Sequence, residues 1–235
     1  MSLMTSPMAL RARTLVRGTR FGRLALAWLK RDGYEQALNR AMQDAVKPGD
    51  IVWDVGANIG EYATLFAEWA GPTGKVFAFE PSSDTLERLR PVVAPCLNVV
   101  VVAKGLSDHE GVSAFVKDDH PDGATFRIPS PDEAVGANDS ITLTTGDAVI
   151  ASGEAERPNV VKIDIEAHEL EALLGMEQVI ADPTCRHIFV EVHFFLLAPQ
   201  GRDNVPRTIE ALLKKHGYRL SWVDQSHIHA RRPNG

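Results

Sequence analysis

The chain has 235 residues, 44% hydrophobic and 24% charged, a length and balance that fit one sizeable globular domain and exclude disorder, a coiled coil or a mini-protein that needs staples. Its longest apolar run is the six residues Leu24 to Leu29, too short for a membrane-spanning helix, and Cys96 and Cys185 match no metal or redox spacing, which points to reduced thiols in the cytoplasm. The net charge of −6 is uneven: residues 1–31 carry +7 with no acid, the remainder carries −13, and so acidic a body argues against nucleic acid as a partner.

Residues 1–47 read as a basic N-terminal helical extension, with Leu15, Leu24, Leu26 and Leu29 inward and the arginines in water. Its last part, 33–46, has apolar or small residues at helical spacing and stops at Lys47-Pro48-Gly49-Asp50. A domain over 48–235 follows. Ile51 to Val55 is a short apolar run of the kind that forms a strand buried on both faces. The pattern then predicts a helix over 61–70, a turn at 71–74, a strand over 75–80, a helix over 83–90 and a third strand over 98–103. A partner strand is expected at 112–117, and a long polar loop from 117 to 139. Further strands are predicted at 141–145, 159–165 and 186–193, helices near 168–180 and over 206–216, and two closing strands at 218–223 and 227–231. Strands alternating with helices predict an α/β fold with a doubly wound, mostly parallel sheet.

Asp54-Val55-Gly56-Ala57-Asn58-Ile59-Gly60 stands where the first strand hands over to the first helix, the place where such a sheet opens its ligand crevice. Gly56 allows close approach of backbone to a ligand, Gly60 admits the helix against the strand, and Asn58 tolerates left-handed dihedrals. A dinucleotide fingerprint requires glycine at 58 and 61, where Asn and Glu stand, and no Gly-Lys-Ser/Thr follows for a P-loop. An NAD-dependent oxidoreductase is therefore the disfavoured alternative. Asp54 would repel a pyrophosphate but suits the ammonium of an amino acid, and Glu80, ending the second strand, suits the two hydroxyls of a ribose. Amino acid plus ribose describes S-adenosylmethionine.

Trp53 to Tyr62, Phe79-Glu80-Pro81, Gly105-Leu106-Ser107-Asp108, Val161 to Leu170 and Phe189-Val190-Glu191-Val192-His193 together resemble the FkbM-type family of class I S-adenosylmethionine-dependent methyltransferases, in family order. The resemblance implies a seven-stranded Rossmann-like sheet and transfer of a methyl group to a hydroxyl oxygen of a small metabolite or sugar, with S-adenosylhomocysteine as product. It adds Pro81, Ser107 and Asp108 to the cofactor-binding set of Asp54, Gly56, Asn58, Gly60 and Glu80. One departure is Ala167, where the family usually has glycine. A methyl group there is expected to narrow the acceptor side, which keeps a cofactor-binding module without turnover as the other alternative.

On that side Asp164, Glu166 and His168 follow a strand, and Glu191 and His193 alternate on the next, so five titratable groups should converge on one rim. His193, or else His168, is the expected proton acceptor for the hydroxyl, with Asp164 positioning it. A divalent ion on these ligands is the rival mechanism, without a recognisable spacing behind it. Residues 117–139 and Phe194 to Asn204 are expected to border the acceptor pocket.

Overall fold

The structure, a computed structural model, describes residues 36–114, 116–120, 123–127 and 140–233. The basic segment of the expected extension lies outside the described residues. A helix, α1, occupies 36–45, and the unit that holds the sheet begins at Met42. Chain order then gives β1 (Ile51–Val55), α2 (Glu61–Ala70), β2 (Lys75–Phe79), α3 (Ser83–Val93), β3 (Val99–Val102) and β4 (Gly105–Leu106). Next come β5 (Gly111–Ala114), β6 (Val116–His120), β7 (Gly123–Arg127), β8 (Ser140–Thr144), α4 (Gly146–Ala151) and β9 (Val160–Ile163). The described chain closes with α5 (Glu169–Leu174), α6 (Glu177–Ala181), β10 (His187–Glu191), α7 (Phe194–Leu197), α8 (Val205–Lys215), β11 (Arg219–Trp222) and β12 (His227–Arg231).

Seven strands make the main sheet in the order β11-β12-β10-β9-β1-β2-β3. The five from β3 to β10 run parallel, and β12 is antiparallel to both its neighbours. β1 and β9 read as near-continuous apolar runs because they are inner strands buried on both faces. The exceptions, Asp54 and Lys162, are charged and buried, and they mark the site described below. Helix α2 packs through Ala63, Phe66, Ala67 and Ala70, the spacing of one helical face. Its start lies so close to α3 that a Cβ on Gly60, where φ is 92°, would meet Leu89 Cδ1 at 2.8 Å.

Three expectations are corrected. The strand at 112–117 does not partner the third strand of the main sheet. Instead β5 pairs antiparallel with β8, and β8 pairs parallel with β4, in a separate three-stranded sheet. Within the polar stretch 117–139, β6 and β7 form a hairpin with His120 opposite Gly123. The Pro121-Asp122-Gly123 turn signal between them was present in the sequence. The helix expected over 168–180 is two short ones, interrupted at Gly175, whose Cα lies against the Ser107 carbonyl so closely that a Cβ would be 1.8 Å from that oxygen. Asp147 caps the second, accepting from Gln178 N and Val179 N at 3.2 Å each.

At the start of β10, His187 Nδ1 lies 3.0 Å from His229 Nε2, and the His229 ring stacks on Phe189 at 4.1 Å. Burial lowers both histidines to about 4, with Arg186, Lys47 and Arg231 adding to it and Asp50 opposing at His187, and with His187 and Arg231 adding to it at His229. The folded state thus holds them neutral, while the unfolded chain takes up protons near 6.5. Their contribution is unfavourable to the fold only below that value, so stability should fall as pH drops from about 6.5 towards 4, by roughly 1–3 kcal/mol for a pair that keeps some contact with water. Urea unfolding at pH 7.5 and pH 5 checks this. His229→Phe should flatten the difference, and an equal pH dependence in that variant would contradict it.

Candidate functional site

The turn after β1 is stitched to the end of β2. Gly56 N and Ala57 N both donate to the Phe79 carbonyl, at 3.0 and 2.9 Å, and Asn58 N donates to Glu80 Oε2 at 3.1 Å. Asn58 takes the left-handed conformation expected of it, with φ 47°. Gly56, at φ 82°, is also required by packing: a Cβ there would lie 2.0 Å from the Asp164 carbonyl oxygen, so the glycine lets β1 and the end of β9 meet. Glu80 Oε1 accepts from Ser82 N at 2.9 Å. Its carboxylate is thereby fixed by one N–H on each oxygen, with a lone pair on each to spare. Burial raises its pKa, against the pull of those two N–H groups.

Asp54 is sealed beneath this turn with no exposed surface. A ligand ammonium was the expected counter-charge, and the cation beside it in the fold is Lys162, whose Nζ lies 3.5 Å from Asp54 Oδ1 and 3.1 Å from Asp164 Oδ2. Burial pushes the Asp54 carboxyl up and Lys162 opposes. Lys162 stays charged in spite of burial because Asp164 and Asp54 flank it, and its Nζ sits 4.8 Å from the centre of the Tyr62 ring. Ser107 is buried with its Oγ 3.0 Å from His168 Nε2, and Asp108 pairs with exposed His109 at 2.7 Å. Pro81 packs near Gly105, where a Cβ would sit 3.4 Å from Pro81 Cγ.

The rim forms, with one member missing. Asp164, Glu191 and His193 each place a donor atom within 4.8 Å of the others, and Glu166 Oε2 is 3.3 Å from His193 Nε2. Among the described residues the ionic and hydrogen-bonding partners of His168 are Ser107 and Glu171. Burial lowers the His168 pKa, with Glu171 opposing, so it is a neutral imidazole turned to another partner. His193 does not end a strand as expected: β10 stops at Glu191, and His193 starts the short α7. Its Nδ1–H donates to Glu169 Oε1 at 2.8 Å, and Asp164 Oδ1 is 3.6 Å from Nε2. Burial disfavours its charge, but the Glu169 bond and the charges of Glu169, Asp164 and Glu166 outweigh that and push the pKa up to about 10. At neutral pH His193 is therefore an imidazolium, already carrying the proton it was expected to take. Burial, with Asp164, Glu169 and Glu191 adding to it and His193 opposing, raises Glu166 to about 7.

Residues 54–220 match the model of the methyltransferase FkbM domain. The chain belongs to the FkbM methyltransferase family. It is 35% identical over 167 residues to the hexuronic acid methyltransferase AglP of Haloferax volcanii, covering 68% of this chain and 62% of that protein. It is 31% identical over 204 residues to the 31-O-demethyl-FK506 methyltransferase FkbM of Streptomyces tacrolimicus, covering 74% of each. A crystal structure of methyltransferase FkbM from Methylobacillus flagellatus KT shares the fold, with a TM-score of 0.54 at 17% identity, over 77% of this chain and 43% of that one.

Against the FkbM pattern, Ala167 has a φ of 72° and follows Glu166 at 53°, two left-handed residues in succession. Its methyl group is buried in the main core, and the departure is felt as backbone strain. Sequence reasoning missed Glu169 as a partner of His193. Fully buried, its Oε1 also accepts from Ala167 N at 3.1 Å and from Ile165 N at 3.4 Å, holding the left-handed loop and the histidine together. It also missed His227, whose Nε2 lies 3.2 Å from Glu191 Oε2 and whose Nδ1 is held by Asp224 at 2.8 Å. Within the stretch from Phe194 to Asn204, Arg202 donates to the Ala167 carbonyl at 2.9 Å and pairs with Glu171. Side chains of 115–139 lie outside the described residues. Among the described residues no helix is long and apolar enough to cross a membrane.

Proposed function

We propose that this FkbM-family protein moves a methyl group from S-adenosylmethionine to a hydroxyl oxygen of a small metabolite or sugar. The observation that carries the reading is the Glu80 carboxylate, locked by Asn58 N and Ser82 N at the carboxyl end of β2. A carboxylate held in that way accepts vicinal ribose hydroxyls without reorganising. The NAD alternative is disfavoured on the same ground: Gly56, Ala57 and Asn58 spend their N–H groups on Phe79 and Glu80, leaving none of the three for a pyrophosphate.

S-adenosylmethionine supplies an electrophilic methyl carbon on a positively charged sulfur. The chain's own residues position the acceptor, whose oxygen forms the new O–C bond while the C–S pair leaves with sulfur. The hydroxyl proton passes to a rim carboxylate, for which Glu166, 3.3 Å from His193 Nε2, is the candidate. AglP's name supports a sugar acid as the first acceptor to try. Purified protein with labelled S-adenosylmethionine, offered hexuronic acids, neutral sugars and hydroxylated polyketides, should methylate at least one of these classes. Calorimetry that finds no binding of S-adenosylhomocysteine, or a nicotinamide dinucleotide retained through purification, would overturn the proposal. Cofactor binding with no turnover on any class would favour the binding-module reading.

A further inference from the structure

We infer that Asp164, Glu191 and His193 form a site for one divalent first-row metal ion of the Mn²⁺ type. Their donor atoms lie within 4.8 Å of one another. Ligand atoms sharing an ion at about 2.1 Å sit about 3 Å apart side by side and about 4.2 Å apart only across it, so the three must draw together by about 1–2 Å to close the set.

Two carboxylates near an imidazole are common on protein surfaces, and what marks this group is the far side of each donor. His193 commits Nδ1–H to Glu169 at 2.8 Å, which leaves Nε2 facing Asp164. Asp164 commits Oδ2 to Lys162 at 3.1 Å, which leaves Oδ1 nearest that nitrogen. Glu191 has Oε2 held by His227 at 3.2 Å, and His227 is itself held by Asp224. Each of the three groups is thus oriented by its own outer partner, from α5, β9 and β12 in turn. A carboxylate behind a ligating histidine and a hydrogen-bonded partner behind a ligating carboxylate are how proteins aim groups at a metal. The buried Glu169 and the part-buried Asp224–His227 pair each cost desolvation that a purely solvated acidic edge would not incur.

Glu166 Oε2, 3.3 Å from His193 Nε2, adds a third carboxylate at the edge of the group. An oxygen-rich set with one imidazole nitrogen suits Mn²⁺ or Fe²⁺ better than Ca²⁺. The ion would occupy the position that the Nε2–H fills in its absence. The site is read from donor geometry alone and does not depend on methyl transfer. If the proposed function holds, the ion lies on the rim that receives the acceptor and would polarise its hydroxyl oxygen.

The test is titration of the full chain, freed of metal with chelator, with MnCl₂, followed by electron paramagnetic resonance. One Mn²⁺ per chain at micromolar to sub-millimolar affinity is expected, with spin-echo modulation from a directly bound imidazole nitrogen. Asp164→Asn and Glu191→Gln should each weaken binding at least tenfold, and His227→Gln, which touches no metal, by tenfold to a hundredfold. His193→Gln should abolish the nitrogen signal. Circular dichroism checks that each variant is folded, and the nitrogen signal of the wild type decides the matter even if a variant is not. Absence of saturable binding at millimolar Mn²⁺, binding without nitrogen modulation, or unchanged affinity in folded Glu191→Gln would overturn the inference.

Discussion

Replacing Glu80 by alanine is expected to reduce affinity for S-adenosylhomocysteine by at least about 10²-fold. Two hydrogen bonds from ribose hydroxyls to a charged acceptor disappear together, each worth roughly 1.5–3 kcal/mol. The same change leaves Asn58 N and Ser82 N without their acceptor, a further cost of about 1–3 kcal/mol to the fold. Glu80→Gln separates the two effects. The amide oxygen still accepts from one of the N–H groups while the amide NH₂ faces the other, so the melting temperature should return only in part while affinity stays well below wild type. Calorimetry on both variants decides it, and an affinity in Glu80→Ala within a factor of about three of wild type would remove the turn from the cofactor site.

Lys162→Met should be the most damaging single change to the fold among these site residues. It strips the counter-charge from Asp54, which has no exposed surface, and breaking a buried pair by deleting one partner costs about 3–5 kcal/mol. For a domain of this size that corresponds to roughly 10 °C in melting temperature. Adding Asp54→Asn should recover most of the loss, since the uncompensated charge is then gone, whereas Asp164→Asn should recover little because Asp164 is part-exposed and can be hydrated. Differential scanning calorimetry on the three proteins gives the answer. A single variant that melts with the wild type would mean that the ammonium is not what permits Asp54 to be buried.

Much of the β1–α2–β2 half of the site could be read directly. Strand, glycine turn, helix and acidic strand end are contiguous, and each has its own local signal. The family resemblance then carried the strand count, which the structure repeats. What escaped were partnerships across the sheet. Nothing near Asp54 announces Lys162, because their contact exists only once β9 lies beside β1, with Lys162 opposite Asp54. Glu191 and His227 face one another in the register of β10 and β12, again a product of topology. His193 was expected on the rim, but its proton affinity there is set by Glu169, Asp164 and Glu166 through contacts that spacing along the chain does not disclose. Helix α6 starts where it does because Asp147, from a separate helix, caps it.

The hairpin of β11 and β12 completes the edge of the sheet, yet the segment between its strands supplies Asp224, and its second strand opens with the His227 that steadies Glu191. A fold diagram would file these residues under scaffold. A random-mutagenesis selection for altered turnover should nonetheless return hits at 224 and 227 beside those at 164, 191 and 193, and it should do so without loss of expressed protein. Tolerance maps drawn from proximity to the substrate would therefore misjudge this corner of the molecule, where the groups that set the geometry of the rim stand one residue further out than the groups that use it.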